Sequence, residues 1–556
     1  MITRHLTIMP VPFKLSLYFI VLIFSCLIFV GCKKKIALGE QPLLDSVYIT
    51  QYMNSDPEFK ENLDWAKKFY KERRFKLGWF KNNEIVPQAE KLFSVMSRSH
   101  EEGLDPEDYN LFNLEQKLKE LDESKKDTSK YKDLQKKLDI ALSAAYFNFA
   151  SDYYRGLVVP RENKEVEWDV KRNKIKLHKA LMTLLGERKS KYPYAEFKPL
   201  HKDYANLKKA LARYREVQKQ GGWPTIPSIS LKPGQRSPAV PLLSRRLADL
   251  MDKQADSAVA DSTVYGPRLV NAVKKFQQLH GQNPDGNIGP ATIKMLNVPI
   301  QNRIRQIVIN MERWRWIPKS FEPSYLLVNI PEYKLYVTEK SKTVMTMNVI
   351  VGKAMHATPI FSDKLEHVVI APYWNIPPNI LRDEIVPRVV SDPGYLDRMN
   401  IEVVTNKGAP VDPSSVDWSQ AGSEGFGYVV RKRPGPKNDL GNVKFIFPNV
   451  DNIYLHDTPH DELFSQASRG FSHGCVRVEE PIKLAEYLLR NVSGWDRNSI
   501  MRQVSTGKER YVSVKEKLPV YLVYFTAKAD ENGNVQFFED IYGHDSELAS
   551  MYFTRL

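Results

Sequence analysis

The fold and chemistry of this chain are most restricted by one stretch, Ser472-His473-Gly474-Cys475-Val476-Arg477. A second histidine, His456, lies upstream in Tyr454-Leu455-His456-Asp457-Thr458, at a separation of 475 − 456 = 19 residues. A thiol attacks a carbonyl carbon as the thiolate, so a catalytic cysteine needs a base within reach and backbone N–H groups for the oxyanion. The two segments supply all three elements, which predicts Cys475 as a nucleophile and His456 as its base.

The cysteine count supports a functional thiol. The chain has only two other cysteines, Cys26 and Cys32, and both lie in an apolar N-terminal leader. After export, Cys475 would have no partner for a disulfide, and a leftover thiol in an exported protein either pairs between molecules or is used in chemistry. The flanking histidines favour use, and the alternative is a buried, inert side chain.

The same region contains residue types that bind metals, namely His456, His460, His473 and Cys475. Histidines four apart share one face of a helix, but Ile453–His456 alternates like a strand and a proline follows closely. The spacing of His473 and Cys475 also differs from a Cys-x2-Cys knuckle. The sequence therefore predicts no metal site and no cofactor, and it leaves a zinc site as the alternative.

Three further stretches, together with the two above, resemble one enzyme family. They are Val351-Gly352-Lys353 with Thr358-Pro359, Pro372-Tyr373-Trp374-Asn375-Ile376-Pro377, and Asn438-Asp439-Leu440-Gly441-Asn442-Val443-Lys444-Phe445. With His456 and the Ser-x-Gly-Cys-x-Arg pattern ending at Arg477, the chain resembles the larger periplasmic L,D-transpeptidases with a YkuD-type catalytic domain. The resemblance covers most of the chain, and it implies a fold, an activity and roles for individual residues.

The resemblance implies that Cys475 is the acylated nucleophile, that His456 is the general base, and that the amides of Gly474 and Cys475 form the oxyanion hole. His473 would assist the reaction, orient a neighbour or merely pack. The candidates for substrate binding are Arg477, Tyr454, Trp374 and Ser472. A guanidinium suits a substrate carboxylate, with a structural ion pair as its alternative, and the aromatic side chains could instead belong to the core.

Length and composition predict several domains. The chain has 556 residues, of which 42% are hydrophobic, and this length indicates about three to four domains of a multidomain α+β protein. The resemblance implies how these domains are arranged: a leader at 1–31, a helical scaffold domain at 45–225, a three-helix peptidoglycan-binding module at 231–299, a mainly-β YkuD-type catalytic domain at 303–530 with a lid inserted at 378–443, and a C-terminal strand and tail at 531–556. The net charge of +15 fits a surface that faces anionic wall polymers, and the dispersed Lys and Arg residues do not resemble a nucleic-acid module.

The N-terminus predicts export and a membrane tether. An apolar run from Leu15 to Gly31 follows Arg4 and Lys14 and ends in Val30-Gly31-Cys32, which is typical of a lipoprotein cleavage site with a lipid on Cys32. An uncleaved anchor is the alternative, since the run is at the lower edge of a membrane-spanning helix. Either outcome places the remainder of the chain in the periplasm or cell envelope.

The resemblance implies a peptidoglycan L,D-transpeptidase that releases D-Ala from a donor stem peptide, forms a thioester on Cys475 and makes 3→3 cross-links with an acceptor stem. It also implies that carbapenem-type β-lactams acylate Cys475. The expected partners are stem peptides, the membrane and wall-synthesis proteins. Three alternatives stay open: an L,D-carboxypeptidase, an enzyme that anchors proteins to the wall, and a non-catalytic peptidoglycan-binding lipoprotein.

Overall fold

The computed structural model describes residues 40–160, 174–186, 197–198, 201–251, 263–317 and 321–554. The predicted leader at 1–31 and the predicted lipidation site at Cys32 lie outside these residues. Within them, no helix is both long enough and apolar enough to cross a membrane. The chain divides into two compact units: the first contains the residues up to Leu92 and Asn110–Ala145, and the second contains Phe93–Tyr109 and Tyr146 onward.

The first unit is helical, as the charged and periodic N-terminal sequence predicts. Its elements are the helices Ser46–Asn54, Pro57–Lys60, Leu63–Glu72 and Leu111–Glu123, the start of Gln88–Ser97, and a hairpin of Phe80–Lys81 and Glu84–Ile85. The long helix Thr128–Arg155 also begins here. Its apolar residues at helical spacing are buried: Leu138, Ala141, Leu142, Ala145, Tyr146 and Phe149. This periodicity correctly predicts the helix.

The predicted three-helix module lies in the second unit, after the helices Leu177–Leu184 and Lys202–Lys219. The three helices of the module are Val240–Arg246, Pro267–Leu279 and Pro290–Leu296. Apolar residues from all three, including Leu243, Phe276 and Ile293, form one buried cluster. The module therefore has a core of its own, as its sequence pattern predicts.

A buried helix, Ile300–Trp316, follows the module and leads to the β-rich part of the chain. We call it the linking helix. The sequence predicts a joint between domains at its Met-Glu-Arg-Trp-Arg-Trp end, and these residues are buried. Glu312 and Arg315 form an ion pair at 2.9 Å, and Arg315 also donates to the Glu102 carbonyl and the Tyr204 hydroxyl. Removing either member of this buried ion pair would leave an unpaired buried charge, which is strongly destabilising.

The β-rich part forms one long mixed sheet. In spatial order its strands are Arg510–Ser513, His367–Ile370, Val443–Ile446, Leu455–His456, Val476–Val478, Lys342–Gly352, Lys334–Glu339, Tyr325–Asn329, Pro519–Val523 and Phe361–Lys364, and Gly470–Ser472 pairs with the end of Lys342–Gly352. Alternate side chains of these strands enter a continuous core, which also includes residues of the helices Pro481–Leu489 and Arg497–Ser505. The predicted mainly-β domain of a multidomain α+β protein is therefore confirmed.

The predicted lid is a small folded body with its own core. Its helical turns are Pro378–Ile380, Leu381–Ile385, Val386–Ser391 and Tyr395–Arg398, and its sheet has the order Pro410–Val411, Ile401–Thr405, Tyr428–Lys432 and Trp374–Asn375. A separate apolar cluster that includes Ile385, Val403 and Val430 is buried inside it. The sheet takes in Trp374, which lies before the predicted boundary at 378, so we use the name lid for residues 374–432.

The C-terminal hairpin differs from the prediction. The sequence predicts a pairing of Val520–Thr526 with Val535–Phe538, whereas Val535–Phe537 pairs with Ala527–Ala529. Pro519–Val523 joins the central sheet instead, between two neighbouring strands. Every residue of that strand is buried, which suits an inner strand and not a hairpin with one face in water. The predicted tail contains a helix, His544–Phe553.

Candidate active site

Three neighbouring strands bring the predicted residues to one face of the sheet. Lys444 pairs with His456, and His456 pairs with Arg477 in the next strand. Cys475 comes directly before that strand, and the amide that follows it donates to the Tyr454 carbonyl at 3.1 Å. Side chains alternate along a strand, so each face carries every second residue. One face carries Lys444, Tyr454, His456, Cys475 and Arg477, and the opposite, buried face carries Phe445, Leu455 and Val476.

The reactive loop, Ser472–Cys475, is shaped by hydrogen bonds within itself. The Ser472 hydroxyl donates to the Cys475 carbonyl at 2.5 Å and accepts from the Gly474 amide at 3.2 Å. Gly474 has a φ of 111°, which favours glycine, and its carbonyl accepts from the Thr358 hydroxyl at 2.7 Å. Because Ser472 is buried and its hydroxyl is used inside the loop, we assign it to the shape of the loop and not to contact with substrate.

The predicted oxyanion hole consists of two amides, and they differ in whether they already donate a hydrogen bond. The Gly474 amide already donates to Ser472. The Cys475 amide makes no hydrogen bond within the described part of the chain. This amide is covalently attached to the predicted nucleophile, so it lies close to any oxyanion formed on the attacked carbonyl. The Gly474 amide would contribute only after the Ser472 hydroxyl turns away.

Cys475 is partly exposed and has polar neighbours. Its Sγ lies 3.9 Å from the Asn452 carbonyl oxygen. Burial raises the pKa of the thiol, while the Tyr454 amide and hydroxyl and the charges of Lys444 and Arg477 act in the opposite direction. With its pKa above the ordinary value, the thiol is protonated at neutral pH and has to lose its proton before it attacks.

His456 is buried and held in one tautomer. Its Nδ1 lies 2.5 Å from the Asp457 carbonyl oxygen. Since a carbonyl only accepts, Nδ1 carries the hydrogen and Nε2 has the free lone pair. Burial, and then the charge of Arg477, lowers the pKa of His456 to about 3, so the imidazole is neutral at neutral pH, as a general base has to be. No direct hydrogen bond joins His456 to Cys475 among the described contacts, so proton transfer between them stays a prediction.

Asp457 fixes the backbone around His456. Its carboxylate accepts from the amides of Asn442 and Thr458, both at 2.7 Å. Gly441 approaches the same carboxylate so closely that a Cβ at this position would lie 2.3 Å from the Asp457 Cγ, and its φ is 57°. Both the contact and the backbone conformation therefore require glycine. The stretch around Gly441, noticed in the sequence as a motif, supports the predicted base.

Arg477 is a largely buried cation with unused donors. Its Nε has no hydrogen-bond partner among the described residues. Burial lowers the pKa of Arg477, and the charges of Asp439 and Cys475 act in the opposite direction. A planar guanidinium with unused N–H groups suits a carboxylate ligand. The role of Arg477 in substrate binding stays a prediction.

His473 connects the reactive loop to the lid. Its Nε2 lies 2.7 Å from a carboxylate oxygen of Glu384, which belongs to the lid turn Leu381–Ile385. Burial lowers the pKa of His473, and Glu384 acts in the opposite direction. At neutral pH the neutral imidazole therefore donates its Nε2–H to the carboxylate. Of the roles considered for His473, this contact favours orientation of the loop.

Tyr454 lies beside Cys475, and Trp374 lies beside Tyr454. Burial and the neighbouring Cys475 raise the pKa of Tyr454 well above its ordinary value, and a hydrogen bond from Trp374 acts in the opposite direction. The Lys444 Nζ lies 3.8 Å from the centre of the Tyr454 ring. Because Trp374 belongs to the lid sheet, the lid contacts the site here as well as at His473. Both aromatic residues stay candidates for the walls of the substrate site.

The residues considered for zinc do not form a shared ligand set. Within the part of the chain that the structure describes, no three His, Cys, Asp or Glu side chains are grouped as metal ligands. His473 bonds Glu384, and the His460 Nδ1 lies 3.3 Å from Glu462. These histidines therefore have different partners and do not converge on one ion.

Sequence reasoning missed two members of the site, Lys444 and Glu384. Lys444 lies in one of the motifs quoted above. It alternates with the apolar residue Phe445, and this pattern could have indicated that Lys444 lies on the opposite face of a strand. Its position beside His456 depends on the register between two strands, which the sequence does not give. Glu384 has no local signal, because it lies 89 residues from its partner His473 in the chain.

Comparison with known families and proteins agrees with this geometry. Residues 323–514 match the model of the YkuD family, the L,D-transpeptidase catalytic domain. Residues 236–296 match the model described as "Putative peptidoglycan binding domain", and residues 64–211 match a Scaffold domain. A Haemophilus influenzae protein named "Putative L,D-transpeptidase" is 37% identical over 278 residues, which are 49% of this chain and 55% of that protein. The chain thus spans about half the length of this curated relative.

Solved structures give weaker matches. An L,D-transpeptidase from Xylanimonas cellulosilytica is 16% identical, with 54% of this chain and 98% of that chain covered and a TM-score of 0.17. One from Mycobacterium smegmatis is 12% identical, with 36% and 58% covered and a TM-score of 0.16. TM-scores this low carry no weight, so the assignment depends on the sequence matches. Residues 323–514 therefore form an L,D-transpeptidase catalytic domain of the YkuD family, which this chain combines with a scaffold domain and a peptidoglycan-binding domain.

Proposed function

We propose that this chain is a peptidoglycan L,D-transpeptidase of the cell envelope that forms 3→3 cross-links through a thioester on Cys475. The observation that carries the proposal is the shared sheet face: His456 is paired with Arg477, and Cys475 directly precedes the strand of Arg477. The matched catalytic domain supports the class of reaction, and the matched peptidoglycan-binding domain supports the substrate. A lipid on Cys32 would hold the enzyme at the membrane, near the proteins that synthesise the wall.

In the first half-reaction the His456 Nε2 takes the proton of the Cys475 thiol. The sulfur attacks the carbonyl carbon of the amide between the third stem residue, a diamino acid, and D-Ala. The Cys475 amide donates to the oxyanion of the tetrahedral intermediate, and the nearby charge of Lys444 stabilises it. The imidazolium then gives its proton to the leaving nitrogen, the C–N bond breaks, and D-Ala departs from a thioester.

In the second half-reaction the side-chain amine of a second stem attacks the thioester carbonyl. His456 takes a proton from the attacking amine, the C–S bond breaks, and the Cys475 sulfur recovers this proton. The product is an amide between the third residues of two stems, which is a 3→3 cross-link. The enzyme returns to the neutral thiol and neutral imidazole from which it started.

Substrate binding and exclusion of water are assigned to the remaining residues. Arg477 binds a stem carboxylate, and Tyr454 and Trp374 form walls of the donor site. The lid contacts the site through Trp374 and Glu384. Water competes with the acceptor amine for the thioester, so a lid at this position favours transfer over hydrolysis.

The test is intact-mass analysis of the chain after incubation with a disaccharide tetrapeptide or with meropenem. We expect a covalent adduct, release of D-Ala and formation of a cross-linked dimer. Cys475→Ala should abolish the adduct and His456→Ala should slow its formation, whereas His460→Ala, a half-exposed histidine four residues further on, should behave like the unmodified chain.

Other outcomes would redirect the assignment. Tripeptide without dimer would identify an L,D-carboxypeptidase, in which water accepts the acyl group. An adduct with a lysine-containing protein would identify an enzyme that anchors proteins to the wall. No adduct with either compound would contradict Cys475 as nucleophile and would favour a non-catalytic wall-binding protein.

A further inference from the structure

Three charged or titratable side chains form a row across the catalytic face of the sheet. Lys444, His456 and Arg477 occupy directly paired positions of three neighbouring strands. Neighbouring strands lie about 4.8 Å apart, so the side chains follow one another at about this spacing. Cys475 directly precedes the strand Val476–Val478 and therefore lies at the Arg477 end of the row. His456 thus has the strand of the nucleophile on one side and the strand of Lys444 on the other.

The Lys444 ammonium has no anionic partner of its own. Its half-buried side chain makes no hydrogen bond or ion pair with the residues that the structure describes, and its Nζ lies 3.8 Å from the centre of the Tyr454 ring. A cation–π contact orients an ammonium without neutralising it. Burial lowers the pKa of Lys444, and the charges of Cys475 and Glu509 act in the opposite direction. The Glu509 carboxylate accepts from the Tyr373 amide at 2.8 Å.

Other cations near the lid are already paired with carboxylates. The Lys432 ammonium forms an ion pair with Asp439, and the Arg433 guanidinium forms one with Glu402 at 2.7 Å. Lys444 differs from them, because its N–H donors stay available for an oxygen of a ligand. An ammonium with unused donors at a substrate site suits a carboxylate, since hydrogen bonds between charged groups are the strong ones.

The proposed reaction puts a carboxylate on this side of His456. The imidazolium of His456 gives its proton to the nitrogen of the leaving D-Ala, so this nitrogen lies beside His456. The acyl carbon is bonded to the Cys475 sulfur on one side of the row, so the rest of D-Ala extends toward the other side, where Lys444 lies. The D-Ala carboxylate carbon is about 2.5 Å from its nitrogen, and a hydrogen bond adds about 2.8 Å. Together these lengths match the spacing of neighbouring strands.

We propose that Lys444 binds the terminal carboxylate of the donor's D-Ala and makes the enzyme distinguish a free D-Ala carboxylate from a neutral terminus. The inference rests on the proposed function for the identity of the leaving group. Arg477, at the opposite end of the row, then binds a carboxylate on the part of the stem that stays attached to Cys475. Lys444 is thereby a residue that determines donor specificity, in addition to the effect of its charge on the oxyanion.

The test compares two donors that differ only in the terminal group. One is the disaccharide tetrapeptide with a free D-Ala carboxylate, and the other is the same compound with a C-terminal carboxamide. We measure kcat/KM for release of D-Ala or D-alaninamide by the full chain and by Lys444→Met and Lys444→Arg. Lys483→Met is the matched control, because Lys483 is an exposed lysine of the same domain that pairs with Glu480. Circular dichroism checks the fold, and Lys444→Gln is the second uncharged variant if Lys444→Met fails to fold.

The expected result is a change in the preference between the two donors. The unmodified chain should favour the free carboxylate by about 10- to 100-fold, which corresponds to one hydrogen bond between charged groups. Lys444→Met should reduce this ratio to about threefold or less, because the ammonium is lost. Lys444→Arg keeps the charge and should keep most of the preference. Weaker stabilisation of the oxyanion lowers both rates by the same factor, so the ratio measures the carboxylate contact alone.

An unchanged ratio in a folded Lys444→Met, with both rates reduced equally, would overturn the proposal, since the charge would then act on the oxyanion only. A ratio that is lost in Arg477→Gln but kept in Lys444→Met would also overturn it, because the D-Ala carboxylate would lie on Arg477. Lys483→Met should leave both rates and their ratio unchanged. If the unmodified chain releases D-Ala from neither donor, the proposed function itself is contradicted, and this site with it.

Discussion

The central sheet and the lid both contact the reactive loop, but they hold it by different forces. The sheet holds it through paired strands and through buried polar contacts, such as the Thr358 hydroxyl on the Gly474 carbonyl. The lid holds it through a half-exposed pair between Glu384 and His473, and through Trp374 beside Tyr454. Buried contacts are costly to break, and exposed pairs contribute little. From this difference we expect a fixed catalytic face and a lid whose contacts are weak enough to open.

The proposed reaction requires both a catalytic face that stays fixed and a lid that opens. The nucleophile and base have to keep their geometry through two half-reactions, because a displacement of the base removes general-base catalysis. The donor stem, D-Ala and the acceptor stem have to enter and leave in turn, which requires a cover that opens. The lid has a core of its own, so it can move as a body without exposing the core of the central sheet.

The largest effect is expected from removing the base on the sheet. His456→Gln should lower the rate of acylation by about 100- to 10,000-fold, the usual contribution of a general base. The measurement is the rate of adduct formation by intact mass, with His460→Gln as control. A rate within a few-fold of the unmodified chain would show that another group deprotonates Cys475.

The pH dependence of the unmodified chain tests the same face. The pKa of His456 is lowered to about 3 and that of Cys475 is raised, so the base is already neutral and the thiol still protonated at neutral pH. Because the neutral imidazole takes the proton of the neutral thiol, the reactive protonation state is populated between these two pKa values, so the acylation rate should change little with pH from about one unit above the pKa of His456 up to the pKa of the thiol. A plateau that begins near pH 6.5, about the ordinary histidine pKa, would contradict this assignment.

A matched pair of glycines tests the packing of the two regions. Gly441 in the sheet region and Gly408 in the lid both have a positive φ, but a Cβ would collide with Asp457 at the first position and would meet nothing within 4 Å at the second. Gly441→Ala should destabilise the fold by about 2–4 kcal/mol, from backbone strain and overpacking. Gly408→Ala should cost only about 1 kcal/mol from the backbone conformation.

Thermal unfolding followed by circular dichroism measures both glycine variants, and hydrogen exchange shows which region is affected. Equal shifts of the melting temperature would mean that the close approach of Gly441 to Asp457 does not restrict the loop. Activity should fall in Gly441→Ala and stay nearly unchanged in Gly408→Ala, because only the first glycine supports the backbone of the base.

Arg477→Lys tests whether the planar guanidinium on the sheet face binds a carboxylate of the substrate. A lysine keeps the charge but loses the planar pair of donors, so kcat/KM for a tetrapeptide should fall by about 10- to 100-fold. The control is Arg497→Lys, since Arg497 is an exposed arginine outside the site. A loss confined to kcat, with KM for the tetrapeptide unchanged, would indicate a role in the chemical step and not in carboxylate binding.

Glu384→Gln tests the lid contact and should have the smallest effect. A half-exposed pair contributes about 1 kcal/mol or less, which corresponds to about fivefold or less. We expect the ratio of hydrolysis to transfer to rise by this factor, because a loosened lid admits water to the thioester. The control is Glu424→Gln, an exposed lid residue. A larger loss in the rate of acylation itself would mean that His473 contributes to the chemical step.

Much of the site was predictable because its residues are close together in the chain. Cys475, Gly474 and His473 lie in one loop, and His456 precedes them by one strand and a turn. The sequence also predicts most of the β-strands, since their alternation of apolar residues is strong. It places the C-terminal hairpin wrongly, because Pro519–Val523 is apolar throughout and its true partners, such as Tyr325–Asn329, lie far away in the chain.

The sequence by itself led to the predictions that Cys475 is the nucleophile, that His456 is its base and that a lid is inserted, and it contains the three segments that match known domain families. These features depend on residue type and short spacing. Only the tertiary structure decided that Lys444 and Arg477 flank His456, that the Ser472 hydroxyl accepts from the Gly474 amide, and that Glu384 reaches His473. Each of these depends on which strands and helices become neighbours, and distant contacts are set by the packing of the whole core and not by any local pattern.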